Sequence, residues 1–223
     1  MPGGGPPPFP IGNFPKACVA LLLQEARRHR VRPGRALDLG SAVGRSSFEL
    51  AQEVPEVVGI DFSKSFIRAA RVLARRGSLR FRLKLEGKIS RPAMVKVPAG
   101  KLRKRVRFHS GDALRLPPLG KFDLVLAANL VDRVKDPKKL LQKVLSGLVR
   151  PGGLLLLTSP YTWSEEFTPC SRWLKESFSA IRKILSPHFR LLRRQDIPFL
   201  LREHRRKFQL SFADASVWQR LSA

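Results

Sequence analysis

Five short apolar runs punctuate the chain, at residues 35–39 (RALDL), 57–60 (VVGI), 106–109 (VRFH), 122–127 (FDLVLA) and 154–158 (LLLLT). Stretches with apolar residues at helical spacing separate most of them. Parallel strands need a crossover of a dozen or more residues, usually a helix, so this alternation predicts an α/β domain with a mostly parallel sheet covered on both faces. The unbroken LLLL at 154–157 fits a strand buried on both sides. Asn13 and Pro15 can cap and start a helix through about residue 30, burying Val19, Leu22 and Leu23. Further helices are expected from the glycine turn to about residue 53, over 64–76 (Phe66, Ile67, Ala70 and Leu73 on one stripe), over 137–149, and near 173–185. Two long strand-like stretches close the chain, 189–201 and 207–218, and predict an antiparallel pair at the sheet edge.

Residues 79–107 break the alternation. Leu79, Phe81, Leu83 and Leu85 alternate with period two, which predicts an inserted β-hairpin. Residues 75–107 carry 13 Lys and Arg against one acid, Glu86. The whole chain holds 43 Lys and Arg against 17 Asp and Glu, a net charge of +26, so its surface attracts polyanions without identifying a substrate. The first 14 residues are rich in Gly and Pro and read as a flexible lead, followed by one domain over 15–223. The start lacks the pattern of a signal peptide, and no apolar run is long enough to span a membrane, so a cytoplasmic location is expected. Cys18 and Cys170 stand alone and the four histidines show no ligand spacing, so no metal site is expected. His109 reads as structural, and His204 sits in a basic run.

The chemistry concentrates after the first strand, in Ala36-Leu37-Asp38-Leu39-Gly40-Ser41-Ala42-Val43-Gly44-Arg45. A glycine-rich turn between strand and helix lets a ligand approach the backbone and meet free helix N–H groups. Gly40-x-Ala42-x-Gly44 is tighter than the dinucleotide fingerprint and requires no pyrophosphate. Asp38 precedes the turn, Asp61 ends the second strand and Asp112 follows the third. Each alone reads as an ordinary turn or cap residue. Together, at the carboxyl ends of successive strands, they outline a site shaped for adenosine.

This constellation resembles the Rossmann-like class I methyltransferases that use S-adenosylmethionine (SAM) and release S-adenosylhomocysteine. The resemblance implies that Asp38 and the backbone of Gly40, Ser41, Ala42 and Gly44 take the methionine end. It gives Asp61 the ribose hydroxyls and Asp112 the adenine amino group, and counts Phe62 and Ala113 among the cofactor residues. Arg45 and Asn129 complete the implied cofactor set. Longer segments carry a closer likeness: DLGSAVGRSSFEL, VGIDFSKSF, FDLVLAANLVDRVKD, PGGLLLLTSPYTW, then DIPF, RKFQ and a closing Val217-Trp218. They are similar to the mercaptohistidine N1-methyltransferase module of ovothiol biosynthesis, which occurs alone or behind a sulfoxide synthase. That likeness implies methyl transfer to a ring nitrogen of 5-thiol-histidine, a small-molecule acceptor supplied by another protein. The insert here is almost purely basic, where that family more often mixes in acids.

Position nominates the reacting groups. Asn129 could orient a ring N–H and Asp132 could accept a proton or hold an ammonium, or both could cap the loop. Tyr161 and Trp163 could wall an aromatic acceptor or serve the core. Arg202 and Lys207 could hold a carboxylate or be solvated surface charges. Two other readings remain beside this one. An RNA or ribosomal-protein methyltransferase would use the basic surface, with salt-sensitive nucleic-acid binding. A non-catalytic SAM-binding module would keep the pocket and transfer nothing. The sequence leaves the oligomeric state open.

Overall fold

The computed structural model describes residues 12–98 and 100–222, so the expected lead lies outside the described residues over 1–11. In chain order the elements are α1 (Phe14–Arg28), β1 (Arg35–Leu39), α2 (Arg45–Leu50), β2 (Glu56–Asp61), α3 (Lys64–Arg76), β3 (Ser78–Glu86), β4 (Ile89–Lys96) and α4 (Gly100–Arg103). There follow β5 (Val106–Ser110), β6 (Phe122–Ala128), a 3-10 turn (Val131–Arg133), α5 (Pro137–Lys139), a π segment (Leu140–Leu145) and α6 (Ser146–Leu148). The chain closes with β7 (Val149–Ser159), a second 3-10 turn (Cys170–Arg172), α7 (Ser177–Leu185), β8 (Phe189–Arg202) and β9 (Phe208–Arg220).

Seven strands form one sheet in the order β5-β2-β1-β6-β7-β9-β8, and β3 and β4 form a separate hairpin. The pairs β2–β5, β1–β2, β1–β6 and β6–β7 are parallel, while β9 is antiparallel to both β7 and β8. The strand order reverses between β1 and β6, which places a crevice beyond their carboxyl ends. Leu154 and Leu156 of β7 enter the core under α1 to α3, while Leu155 and Leu157 enter the core under the 137–148 helical run and α7. Both faces of the strand are therefore dry, at about 1.5–3 kcal/mol of stabilisation for each fully buried Leu.

Local chemistry sets the element ends. The Asn13 side chain accepts the Lys16 N–H at 3.1 Å and starts α1, which buries Val19, Leu22 and Leu23 as expected, with Cys18, Leu21, Glu25 and Ala26. Helix α2 ends at Leu50 and not at Glu53, because Gln52 and Glu53 tighten to i→i−3 bonds with Glu49 and Leu50. In α3, Ile67, Ala70 and Leu73 are buried, but Phe66 lies one step off that stripe and is 47% exposed. The expected helix over 137–149 contains a π turn and stops at Leu148, because Val149 already pairs with Phe122. The last helix starts at Ser177, since Trp173 is extended after the 3-10 turn.

The hairpin pairs Leu79 with Val95 and Phe81 with Ala93, and Leu79 and Val95 pack against the α1–α3 core. It ends at Lys96, and α4 fills the rest of the insert. At its tip the Arg205 N–H donates to Leu85 O at 3.0 Å, and Arg205 pairs with Glu86 at 3.7 Å. The one acid of the basic insert thus binds the β8–β9 turn. No described helix is long and apolar enough to cross a membrane.

Candidate functional site

The turn after β1 needs left-handed backbone at Gly40 (φ 84°), Ala42 (φ 47°) and Gly44 (φ 90°). Two glycines take that conformation freely, while Ala42 holds it at a cost of about 1 kcal/mol or more. Gly40 and Ser41 both donate their N–H to Ile60 O, at 2.8 and 3.0 Å, and Gly44 donates to Ser41 O at 2.8 Å. Ala42 N–H donates to Asp61 Oδ2 at 2.8 Å. The turn therefore offers close backbone approach; β2 takes the N–H groups of Gly40, Ser41 and Ala42, all ahead of the first turn of α2. A Cβ at Gly40 would stand 3.2 Å from Leu130 Cδ1, so the loop after β6 closes over the turn after β1.

Around this crevice stand the acids. Asp38 is 2% exposed and accepts the Ser47 hydroxyl at 2.6 Å. Burial pushes its carboxyl up to about 6, partly offset by Ser47. The neighbouring Cys18 thiol is pushed up to about 12, by burial first and by the Asp38 charge second, and stays neutral. Asp61 accepts Ala42 N–H and Ser63 N–H, both at 2.8 Å, so it joins the β1 turn to the start of α3. Asp112 accepts Leu114 N–H at 2.8 Å in a local turn, and Ala113 packs on the lower core. Phe62 is 81% exposed beside Asp61, a bare aromatic face at the crevice. The buried Ser41 Oγ has no hydrogen-bond partner among the described residues. An orphaned hydroxyl, three strand-end acids and an open aromatic face fit an adenosine-bearing ligand with a charged amino-acid end. Arg45 stands apart, paired with Glu49 at 2.6 Å along the helix surface.

Beside the crevice lies a cavity of about 800 Å³, bounded by Phe14 at the start of α1, by Asn129, Arg133 and Thr162 at the ends of β6 and β7, and by Phe199 and Phe208 of the β8–β9 ribbon. Phe14 and Phe199 pack with ring centroids 5.1 Å apart. Asn129 has a φ of 50°, and its Oδ1 accepts the Thr158 hydroxyl at 2.8 Å, so its amide NH2 is the end without a partner among the described residues. Arg202 lines the same cavity, its guanidinium 5.8 Å from the Phe208 ring centroid.

The other nominated residues turn elsewhere. Asp132 is fully buried and accepts the Ser159 hydroxyl at 3.0 Å and the Thr162 hydroxyl at 3.2 Å. It ties the loop after β6 to the loop after β7. Tyr161 donates its hydroxyl to Asp214 at 2.9 Å, and burial, with the Asp214 charge next, holds the phenol well above its usual range. Trp163 donates to Ser177 at 3.0 Å, toward α7. Lys207 pairs with Glu203 at 2.9 Å outside the cavity wall. Sequence reasoning missed Arg133, Thr162, Phe14, Phe199 and Phe208 as cavity residues. Phe199 and Phe208 lie inside the DIPF and RKFQ segments, so their signal was present but read only as a likeness.

A seven-stranded sheet of this order, with an acid-lined glycine crevice beside a half-open cavity, is the arrangement of Rossmann-like methyltransferases that use SAM. Residues 13–210 match the family model described as "Methyltransferase domain", and the chain belongs to that family. It is a SAM-dependent methyltransferase. Among solved structures it is similar to the N-methyltransferase NodS of Bradyrhizobium japonicum (15% identity, TM-score 0.59, covering 94% of this chain and 97% of that one). It is also similar to the magnesium protoporphyrin IX methyltransferase of Synechocystis with bound SAM (18% identity, TM-score 0.60, covering 92% and 79%). A SAM-dependent methyltransferase of Clostridium acetobutylicum superposes with a TM-score of 0.63 at 12% identity, covering 95% and 93%. A search of curated proteins finds no match. Among the described residues no group of His, Cys, Asp and Glu is placed to hold a metal.

Proposed function

We propose that the protein methylates a ring nitrogen of a small imidazole amino acid, 5-thiol-histidine, as in ovothiol biosynthesis. The observation that carries this reading is where the likeness falls. The segments FDLVLAANLVDRVKD, PGGLLLLTSPYTW, DIPF and RKFQ are far apart in sequence, yet each contributes to one cavity, through Asn129 and Arg133, Pro160 and Thr162, Phe199, and Phe208 and Gln209. A volume of about 800 Å³ lies within the roughly 300–1,000 Å³ of small-molecule sites and leaves ample room for a one-ring acceptor.

SAM brings a methyl group already activated on a sulfonium. The protein's part is to bind, align and exclude water. Asp38 and Ser41 grip the methionine end, Asp61 the ribose hydroxyls, and Asp112 with Phe62 the adenine. Asn129, bridging crevice and cavity, presents its amide NH2 to the acceptor and steers the ring so that its lone-pair nitrogen faces the methyl. A neutral imidazole nitrogen needs no strong base. Asp132 and Tyr161, both hydrogen-bonded within the protein, act as positioning residues for the post-strand loops.

The exposed basic face of the hairpin supports a second reading, methyl transfer to RNA. Labelled SAM offered with 5-thiol-histidine, histidine and total RNA separates them, with Asp38→Ala as control. Label on 5-thiol-histidine, lost in the variant, is expected. Label on RNA alone overturns the proposal and makes the hairpin the substrate platform.

A further inference from the structure

Among the described residues every ionisable side chain in the cavity wall is cationic: Arg133 and Arg202 line it, and no acid does. The amino end of α1, a helix of 15 residues, opens onto the same space through Asn13 and Phe14 and adds the positive end of its dipole. Such a wall selects an anionic ligand. The two arginines are not equivalent. Arg202 sits on the outer ribbon, its guanidinium over the Phe208 ring at 5.8 Å from the centroid, with no hydrogen bond to hold its plane among the described residues. Arg133 stands at the sheet end, four residues from Asn129, and is held in place from two sides. Its Nη2 donates to Thr162 Oγ1 at 3.1 Å, and its guanidinium lies 4.8 Å from the Phe167 ring centroid. Asp132 approaches it only to 3.9 Å and is itself committed to Ser159 and Thr162. Most of the five guanidinium N–H groups are therefore available in a fixed plane, the arrangement that grips a carboxylate through two parallel hydrogen bonds.

We infer that Arg133 forms a carboxylate-binding subsite that fixes the acceptor's amino-acid end. This deepens the proposed function and rests on its reading of the cavity as the acceptor site. Arg133, and not the nominated Lys207 or Arg202, would then set the preference for an acceptor bearing a carboxylate.

The test compares 5-thiol-histidine with its decarboxylated counterpart, 5-thiol-histamine, by calorimetry on the protein loaded with S-adenosylhomocysteine, and by methyl-transfer kinetics. The wild type should bind the carboxylate form at least about tenfold more tightly. Arg133→Met should bring the two within about twofold, raising KM far more than it lowers kcat. Arg133→Lys, which keeps the charge and the fold but loses the planar fork, should restore part of the preference, and Arg202→Met should keep it. No preference in the wild type, or an unchanged preference in Arg133→Met or Arg133→Lys, overturns the inference. Binding reads the subsite whether or not a methyl moves. A carboxylate preference without turnover therefore sinks only the proposed function, and turnover without preference sinks only the role of Arg133.

Discussion

Asp38 is a carboxyl kept almost out of water and held by the Ser47 hydroxyl, and the proposed cofactor contact makes its charge state a test of the crevice. The folded pKa of about 6 lies above the ordinary 3.8, so the folded state holds its proton more tightly than the unfolded chain does. The associated stability is full below the unfolded value and is lost as pH rises from about 4 to about 6. Ligand binding runs the other way. On the proposed assignment of Asp38 to the methionine end, the α-ammonium of S-adenosylhomocysteine pairs with the carboxylate form alone. Its affinity should thus be flat above pH 6 and fall about tenfold per pH unit below it. Asp38→Asn should bind weakly and without that slope. Calorimetry from pH 5 to pH 8 decides it, and a level wild-type profile would remove Asp38 from the cofactor contact. The acids were legible in the sequence because each closes or follows an apolar run at a strand end. Their partners were not. Tyr161 and Asp214 lie 53 residues apart, and only the β7–β9 pairing that sets Ser159 opposite Asp214 brings them together. Hydrogen-bonded pairs of this kind depend on register, which a single sequence does not state.

Among the elements, the hairpin separates the two readings of the acceptor. Arg80, Arg82, Lys84 and Lys96 stand on its exposed face, while Leu79 and Val95 on the other side hold it to the core. Its described contacts with the β8–β9 turn are confined to the tip, through Leu85 and Glu86. Reversing Arg80, Arg82 and Lys84 to Glu should change stability by no more than about 0.5 kcal/mol per site. The KM for 5-thiol-histidine should stay within about twofold, while affinity for RNA at low salt should fall steeply. Parallel kinetics and RNA titrations read both effects, and a tenfold rise in KM would bring the hairpin into the acceptor site. Period two made this element visible at once, and the strand pair at the sheet edge was equally plain from two adjacent extended stretches. The π turn was not. Leu140, Leu141 and Leu145 are all fully buried, and a five-residue spacing of 140 and 145 looks like ordinary helical scatter until packing demands the wider turn.

For the molecule as a whole, charge is the dominant imbalance. With 43 basic and 17 acidic residues, more than half of the cations have no acid to pair with, and the compact state gathers them at close range. Two effects of added salt compete. Screening weakens favourable pairs such as Lys207–Glu203 at 2.9 Å and Arg35–Glu56 at 3.0 Å. Exposed pairs of this sort contribute about 0–1 kcal/mol each, so their loss is small. Screening also relaxes the repulsion among unpaired cations, which acts over about 10 Å at 0.1 M and far longer in dilute buffer. Because the excess is +26, repulsion outweighs the pairs, and the thermal midpoint at pH 7 should rise by several degrees between 20 and 300 mM sodium chloride, a gain of about 1 kcal/mol or more. A melting series in that range measures it, and a midpoint that falls would show that the ion pairs, not the surplus charge, govern the fold. The same series bears on function. On the proposed function the cavity engages one carboxylate, so its KM should drift only a few-fold across this range. A surface that works by holding RNA should lose orders of magnitude in affinity, in proportion to the phosphates it contacts. Salt thus separates charge that the catalytic cavity uses from charge that the surface merely carries.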